Sequence, residues 1–457
     1  MSNVINLSWL DINQTENGYR VYRDTSPLDI NNLPAPYADL GADSEEFVDE
    51  DVTFGDIYYY VVSAYNDTEE AFSNNITVQC REAIFVSTDR YGMYSVSIDG
   101  TTMKTGTIKA ATNGQDRIFT TSYSKPEFSD CDREGNQFFV SYDDQYLYKV
   151  DSDFNFVWEF NLGSNYGGNI QNLRCDLLGN VYVALFLNRH VYVAIFDNET
   201  GSVLSYSDVT VAIAGTSSYR YLADSGLNTC HIIPTKNPNI TIVALRWRDD
   251  DYDYWAGTAI LSSQSGIIGK NLIIKRDGVE SSTQTGSRNY TLEAGETNNT
   301  TVLSNGKIIF AGSREWALIN EQGIIEVYNN QPVSGGDYNS TVSVVQTPDG
   351  SVWGIAGDTI QQINSSTLSG MNSSQSLSSA TDWPVFNNNN SGRFNSVASD
   401  YDGNIYFAMY YNDDDGQYHL IKYDPINHEV LWDKTYTRRI HNINILPGRI
   451  YQDLGKH

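Results

Sequence analysis

Short runs of alternating apolar and polar residues, each bounded by Gly, Asp or Asn, recur along most of this chain. The clearest set lies between Phe394 and Tyr436, where FNSVASD, NIYFAMY, YHLIKYD and EVLWDKT are separated by DG, DDDG and PINH turns. A period of two in β-branched and aromatic residues predicts strands, and turn residues of this kind join them as antiparallel neighbours. The repeating unit is therefore a four-stranded meander. The same grammar returns in SDCDREGNQFFVSYDDQYLYKVDSDFNFVWEF, in LRCDLLGNVYVALFLNRHVYVAIFDNETGSVLSY, in TVLSNGKIIFAGSREWALINEQGIIEVY and in VSVVQTPDGSVWGIAGDTIQQINSSTL. Gly135, Gly179, Gly306, Gly350, Gly403 and Gly448 mark the turns between first and second runs, with neighbours mostly about 44 residues apart. One sheet of this size cannot bury both faces, whereas sheets stacked radially can.

The expected fold class is all-β, with a β-propeller over residues 83–453. Its first repeat, AIFVSTD, MYSVSID and MKTGTIK, supplies only three strands. The missing one is expected from the other end of the chain, where HNINILPGRIY reads as a first strand with its Gly turn and nothing after it. Combining Ile443–Leu446 with Ala83–Lys109 makes a mixed blade that closes the ring and leaves no open sheet edge. Units beginning near Phe128, Gln171, Leu227, Thr300 and Ser340, with the mixed one and the Phe394 template, give seven blades. The fourth has PTKNPN where the others have a turn Gly, so six or eight stay open.

Residues 1–80 follow another pattern. INLSW, GYRVYR, EFVDEDVTFGDIYYYVVSAYN and AFSNNITV together resemble a fibronectin type III domain, which implies a β-sandwich. The resemblance makes Trp9 the core tryptophan and Tyr58, three after Gly55, the tyrosine-corner residue, with Tyr60, Val62 and Ala64 facing the core. The stretch RVYRDTSPLDINNLPAPYADLG is similar to modules embedded in virion proteins of tailed bacteriophages, and related modules occur in secreted bacterial hydrolases. Fibronectin modules space or present other domains and bring no active site. In the propeller, NFVWEF and EVLWDKT loosely resemble fourth strands of pyrroloquinoline-quinone-type repeats.

The chain has 457 residues, 40% of them hydrophobic, enough for a sizeable core. Its 32 Tyr and 35 Gly favour strands and turns, and no apolar run is long enough to span a bilayer as a helix. The formal charge of −28 disfavours nucleic acid as a direct partner, because phosphate binding needs clustered Lys and Arg. Four cysteines do not form a disulfide framework at this length. Cys131, Cys175 and Cys230 each stand four positions before a turn Gly or Pro234, and are expected to be reduced and buried near the channel. A three-thiolate metal site is the alternative. MSNVINLSWL lacks the basic and apolar regions of a signal peptide, so synthesis in a host cytoplasm is expected and the Asn-x-Ser/Thr triplets are not glycan sites.

None of the six histidines has a partner at metal-ligand spacing, and no nucleophile elbow or phosphate loop is present. Asp151-x-Asp153-x-Asn155 lacks the Gly and Glu of a calcium loop and reads as a strand-connecting turn. The candidate binding residues lie in two hairpins joining second and third strands: Asp249, Asp250, Asp251, Tyr252 and Trp255 in the fourth repeat, and Tyr410, Tyr411, Asp413, Asp414 and Asp415 in the last. Acidic residues interleaved with aromatic rings can stack on and hydrogen-bond a sugar, and calcium is the one cofactor they would suit. The expectation is a non-enzymatic virion protein of a tailed phage, on the tail or capsid surface. Its expected partners are other virion proteins and a host-surface glycan or protein, with no membrane insertion and with an assembly of identical copies left open. The alternative is a carbohydrate-active or quinone-dependent propeller enzyme whose signal peptide has been removed.

Overall fold

The structure, a computed structural model, describes residues 5–10, 16–52, 56–73, 75–79, 83–88, 92–96, 102–106, 109–112, 115–118, 126–132, 135–141, 146–151, 154–214, 230–248, 254–275, 280–281, 300–311, 315–330, 332–336, 342–380, 393–400, 402–410, 418–436, 440–446 and 452–456. They divide into two units, one of residues 1–83 with 446–457 and one of residues 84–445.

In the first unit, β1 (Ile5–Leu10), β2 (Gly18–Asp24), β3 (Ala38–Gly41), β4 (Glu46–Asp49), β5 (Ile57–Tyr65), β6 (Glu70–Phe72) and β7 (Ile76–Gln79) form two sheets. One runs β3-β2-β5-β6, with β7 also on β5, and the other places β1 beside β4. Ile5, Leu7 and Trp9 alternate along β1 and share one buried cluster with Tyr58, Tyr60, Val62 and Ala64 of β5. Period-two burial on both strands is what packs one sheet against the other. Trp9 is 6% exposed, with its ring 5.4 Å from that of Tyr19. Tyr60 reaches through this core to donate its hydroxyl to Asp49 Oδ2 at 2.6 Å. Asp49 also accepts Arg23 Nη1 at 2.8 Å and the Tyr37 hydroxyl at 3.2 Å, so the buried carboxylate is charge-paired and hydrogen-bonded.

The sandwich also contains a strand that the sequence does not announce. Gln452–Lys456 pairs in parallel with β1, on the side away from β4. Residues assigned by sequence to the end of the propeller therefore belong to the sandwich, because the backbone groups of β1 find their second partner there.

The second unit is built from antiparallel sheets. Sheet I joins Ile440–Leu446 to Ala83–Thr88, Gly92–Val96 and Thr102–Gly106. Sheet II comprises Pro126–Cys131, Gln137–Ser141, Tyr146–Val150 and Phe156–Asn161, and sheet III comprises Asn169–Cys175, Val181–Leu187, His190–Phe196 and Val203–Asp208. Sheet IV adds a fifth strand, Glu280–Ser281, to Cys230–Pro234, Thr241–Arg248, Tyr254–Ser262 and Gly266–Lys275. Sheet V is Thr300–Val302, Ile308–Ala311, Glu315–Ile319 and Ile325–Asn330. Sheet VI is Val342–Gln346, Val352–Ala356, Thr359–Ile363 and Gln375–Ser376. Sheet VII is Arg393–Ser399, Ile405–Tyr410, Tyr418–Asp424 and Glu429–Tyr436. A separate ribbon pairs Lys109–Thr112 with Gln115–Ile118, and two short helices, α1 (Leu162–Asn165) and α2 (Val209–Ala214), follow the fourth strands of sheets II and III.

First strands or their turns link sheet to sheet around the unit. Cys175 N–H donates to Asp130 Oδ2 at 2.9 Å between sheets II and III, and Lys236 Nζ to the Ser304 carbonyl at 2.5 Å between IV and V. Gln346 of sheet VI accepts Ser304 N–H at 2.6 Å through its side chain and the Ser399 hydroxyl at 3.0 Å through its carbonyl. A shared core of Tyr182, Val193, Cys230, Ile232 and Val243 joins III to IV. The circle is completed by Ile440–Leu446: Ile443 N–H donates to Ser396 Oγ of sheet VII at 3.3 Å, and Asn444 Nδ2 to Ser129 Oγ of sheet II at 3.5 Å. Four-stranded sheets in cyclic contact through their first strands are a β-propeller.

In three repeats the first turn has chemistry beyond its glycine. In DREGN, DLLGN and DYDGN the Asp side chain accepts the backbone N–H of the Asn four residues on, at 2.9, 2.9 and 2.8 Å. The Asn amide returns a bond to the same carboxylate at 2.7, 3.1 and 3.1 Å. Between them Gly135, Gly179 and Gly403 take φ of 83°, 84° and 86°, the left-handed region that a side chain would strain.

Candidate functional site

Sheet IV carries the longest hairpin. All eight residues of Thr241–Arg248 pair with the third strand, from Thr241↔Leu261 to Trp247↔Trp255 and Arg248↔Tyr254. The corresponding second strands of sheets II, III, V, VI and VII have five, seven, four, five and six residues, so the sheet IV ladder is one pair longer than that of sheet III. Two pairs more than sheet VII extend the ladder by roughly 7 Å at about 3.3 Å per residue. In a four-stranded meander the second-to-third turn lies at the end where the chain also enters and leaves the sheet. The extension thus carries the chain outward on the face of the sheet-to-sheet connections.

Trp255 and Tyr410 hold paired backbone positions at the bases of the two hairpins, Trp255 opposite Trp247 and Tyr410 opposite Tyr418. Asp249, Asp250, Asp251 and Tyr252, like Tyr411, Asp413, Asp414 and Asp415, lie outside the described residues. Asp151 is a turn residue, bonded through its two carboxylate oxygens to the Asn155 backbone N–H and side-chain amide, each at 2.8 Å.

A second group of polar residues sits on the first strands of sheets II to IV. Asp130 accepts the N–H of Cys131 and of Cys175, each at 2.9 Å, with the Arg174 guanidinium 4.0 Å away. Burial raises the Asp130 carboxyl above its ordinary range, against the pull of Arg174 and those two amides. Burial, reinforced by Asp130 and Asp132, holds the Cys131 and Cys175 thiols well above theirs, and burial alone does so for Cys230. These thiols are protonated at neutral pH, so they are poor nucleophiles. Cys131, Cys175 and Cys230 are free, and Cys80 lies outside the described residues.

The register corrects the expected alignment of the three cysteines. Cys131 and Cys175 open their ladders opposite Gln137 and Val181, next to the turn, but in sheet IV that position is taken by Pro234, opposite Thr241. Cys230 pairs with Leu245, four residues further along the strand. The turn begins at Thr235, whose N–H donates to the Ile240 carbonyl, so Pro234 ends a strand and does not stand in for a turn glycine. This displacement removes the basis for a three-thiolate site.

His231 is the unexpected member of the group. It is 8% exposed, sits edge-on to Phe310 with ring centroids 5.0 Å apart, and its Nε2 has no hydrogen-bond partner. Burial, then the nearby Arg174 charge, depresses its pKa from 6.5 to about 4. Between those values the unfolded imidazole binds a proton that the folded one refuses, so stability present above pH 6.5 is lost as the pH falls towards 4. The loss reaches about 3 kcal/mol at 1.36 kcal/mol per pKa unit. His231→Leu should flatten the acid limb of a urea-midpoint against pH curve across that window, and an unchanged limb would assign it to other groups.

No family model matches the chain, and no curated protein does. Among solved structures it is similar to a quinoprotein alcohol dehydrogenase-like protein from Bacteroides thetaiotaomicron, at 9% identity and a TM-score of 0.46, covering 97% of this chain and 94% of that one. It is also similar to the Dos1 propeller, at 9% identity and 0.45, over 84% and 83% of the two chains. The dihydro-heme d1 dehydrogenase NirN is a third, at 13% and 0.44, over 79% and 74%. The propeller architecture rests on the sheet topology itself.

Proposed function

We propose that this chain is a non-enzymatic virion protein of a tailed bacteriophage, a fibronectin type III-like sandwich joined to a seven-bladed propeller that contributes to host-surface attachment or assembly. The observation that carries the attachment role is the extended ladder of sheet IV, which leads to RWRDDDYDYW on the face where inter-sheet connections gather. A long hairpin with an acidic and aromatic sequence suits ring stacking and hydroxyl recognition of a surface glycan. Sheets I to VII, with the strand Ile440–Leu446 in sheet I, support the reading of seven blades. Alternating burial of Ile5, Leu7 and Trp9 against Tyr58 and Tyr60 supports the fibronectin-like reading, and the virion context rests on the resemblance of that module.

Replacing Tyr252, Trp255, Tyr410 and Tyr411 by Ala should weaken adsorption to host cells or immobilised surface glycan at least tenfold and leave the melting temperature within a few degrees, as at rim positions of a binding face (~1.4 kcal/mol per tenfold). Full retention of adsorption would remove the hairpins from the role. Turnover of a sugar or quinone substrate by the purified protein would overturn the non-enzymatic reading.

A further inference from the structure

The strand Gln452–Lys456 has an unusual position. Among the described residues it is paired only to β1, in parallel, with Leu7 opposite Gln452, Ser8 opposite Asp453 and Leu10 opposite Lys456, and the register breaks between Ser8 and Leu10. On its other side β1 is held by β4 in an unbroken antiparallel ladder from Ile5↔Asp49 to Ser8↔Glu46. Adjacent parallel strands cannot be joined by a tight turn and need a long crossover. Here the intervening chain is the whole second unit. The segment QDLGK has one apolar residue, so main-chain hydrogen bonds, and not a side-chain pocket, are what recommend it to this edge.

Without that strand β1 would be an exposed edge whose side chains Ile5 and Leu7 are fully buried, a ready template for another extended chain. We propose that the outer edge of β1 is a strand-acceptor site, filled within one molecule by Gln452–Lys456 and open to the same segment of a second copy. An identical strand meets an identical register, so exchange between copies loses no contact of the ladder. Residues 447–451 alone separate this strand from Ile440–Leu446 of sheet I, and a short connection between two paired strands is where exchange of an end segment is easiest. The intramolecular form has the advantage of a high effective concentration, and the exchanged form gains as copies are crowded.

The test uses the chain ended at Leu446, titrated with a fluorescent peptide of residues 447–457. Saturable one-to-one binding is expected, together with slowed amide exchange at Ser8, whose N–H lies on the edge away from β4, and a peptide carrying Asp453→Pro and Leu454→Pro should not bind. Absence of binding to a shortened chain that still unfolds cooperatively, or equal binding of the proline peptide, would overturn the acceptor site. Should the shortened chain fail to fold, the full chain carrying Asp453→Pro and Leu454→Pro replaces it as the receptor. For the second copy, sedimentation of the full chain should show a dimer that grows with concentration and is lost in the double-proline variant. A monomer throughout, or a dimer indifferent to the prolines, would confine the strand to its own molecule.

Discussion

Deleting residues 440–457 should abolish cooperative unfolding of the propeller and send the protein into aggregates. The deletion removes the first strand of sheet I, leaving the inner backbone groups of Ala83–Thr88 unpaired and the ring open. It also removes Ile440 and Ile443, both almost fully buried with Tyr406, Ala408 and Leu420 of sheet VII. Losing a buried aliphatic side chain costs about 2–5 kcal/mol, and two such losses approach the whole stability of a typical domain, about 5–15 kcal/mol. The bonds from Ile443 to Ser396 and from Asn444 to Ser129 disappear in the same step. Deleting only residues 447–457 spares this closure and removes the strand on β1, so its propeller transition should stay sharp. Calorimetry of the two truncations separates the cases, and a normal transition after the longer deletion would mean that the ring closes by other means.

The contrast shows what the chain's pattern discloses. Ile440–Leu446 is recognisable because INIL alternates and stands before a turn Gly, while the first repeat lacks a strand of that kind. Gln452–Lys456 has neither alternation nor β-branched residues, and its place on β1 is set by backbone pairing across the length of the chain, which no local signal encodes. The Cys230 shift is similar in kind. A Pro in PTKNPN reads as turn chemistry, but it also suits the end of a first strand, and only the ladder tells the two apart. The Asp-to-Asn clamp was legible in DREGN, DLLGN and DYDGN had the aspartate been weighed with the glycine. The acidic hairpins were legible as composition, while the extra length of the sheet IV ladder that projects one of them emerges only from the pairing.

Lys422→Met should destabilise sheet VII by about 3–5 kcal/mol, the cost of breaking a buried ion pair from one side. Lys422 lies on the third strand with its side chain 3% exposed, and its ammonium is 2.9 Å from Asp400 Oδ2, a carboxylate with no exposed surface. Asp400 cannot relax into water when the charge is removed, because it clamps the DYDGN turn through Asn404 and accepts the Tyr406 hydroxyl at 2.9 Å. Methionine keeps an unbranched stem against the Tyr406 ring, over which the ammonium lies 5.4 Å from the centroid, so the loss is chiefly electrostatic. Sheet II supplies the control. Lys149 stands opposite Trp158 as Lys422 stands opposite Trp432, yet its ammonium turns to the side-chain and backbone oxygens of Asn198 in sheet III, at 2.7 and 3.0 Å. Lys149→Met leaves no buried carboxylate behind, only acceptors that have lost a charged donor, a loss of about 1.5–3 kcal/mol. Urea unfolding of the two variants should therefore rank Lys422→Met as the more damaging, and equal losses would show that the pairing with Asp400 adds nothing beyond an ordinary hydrogen bond.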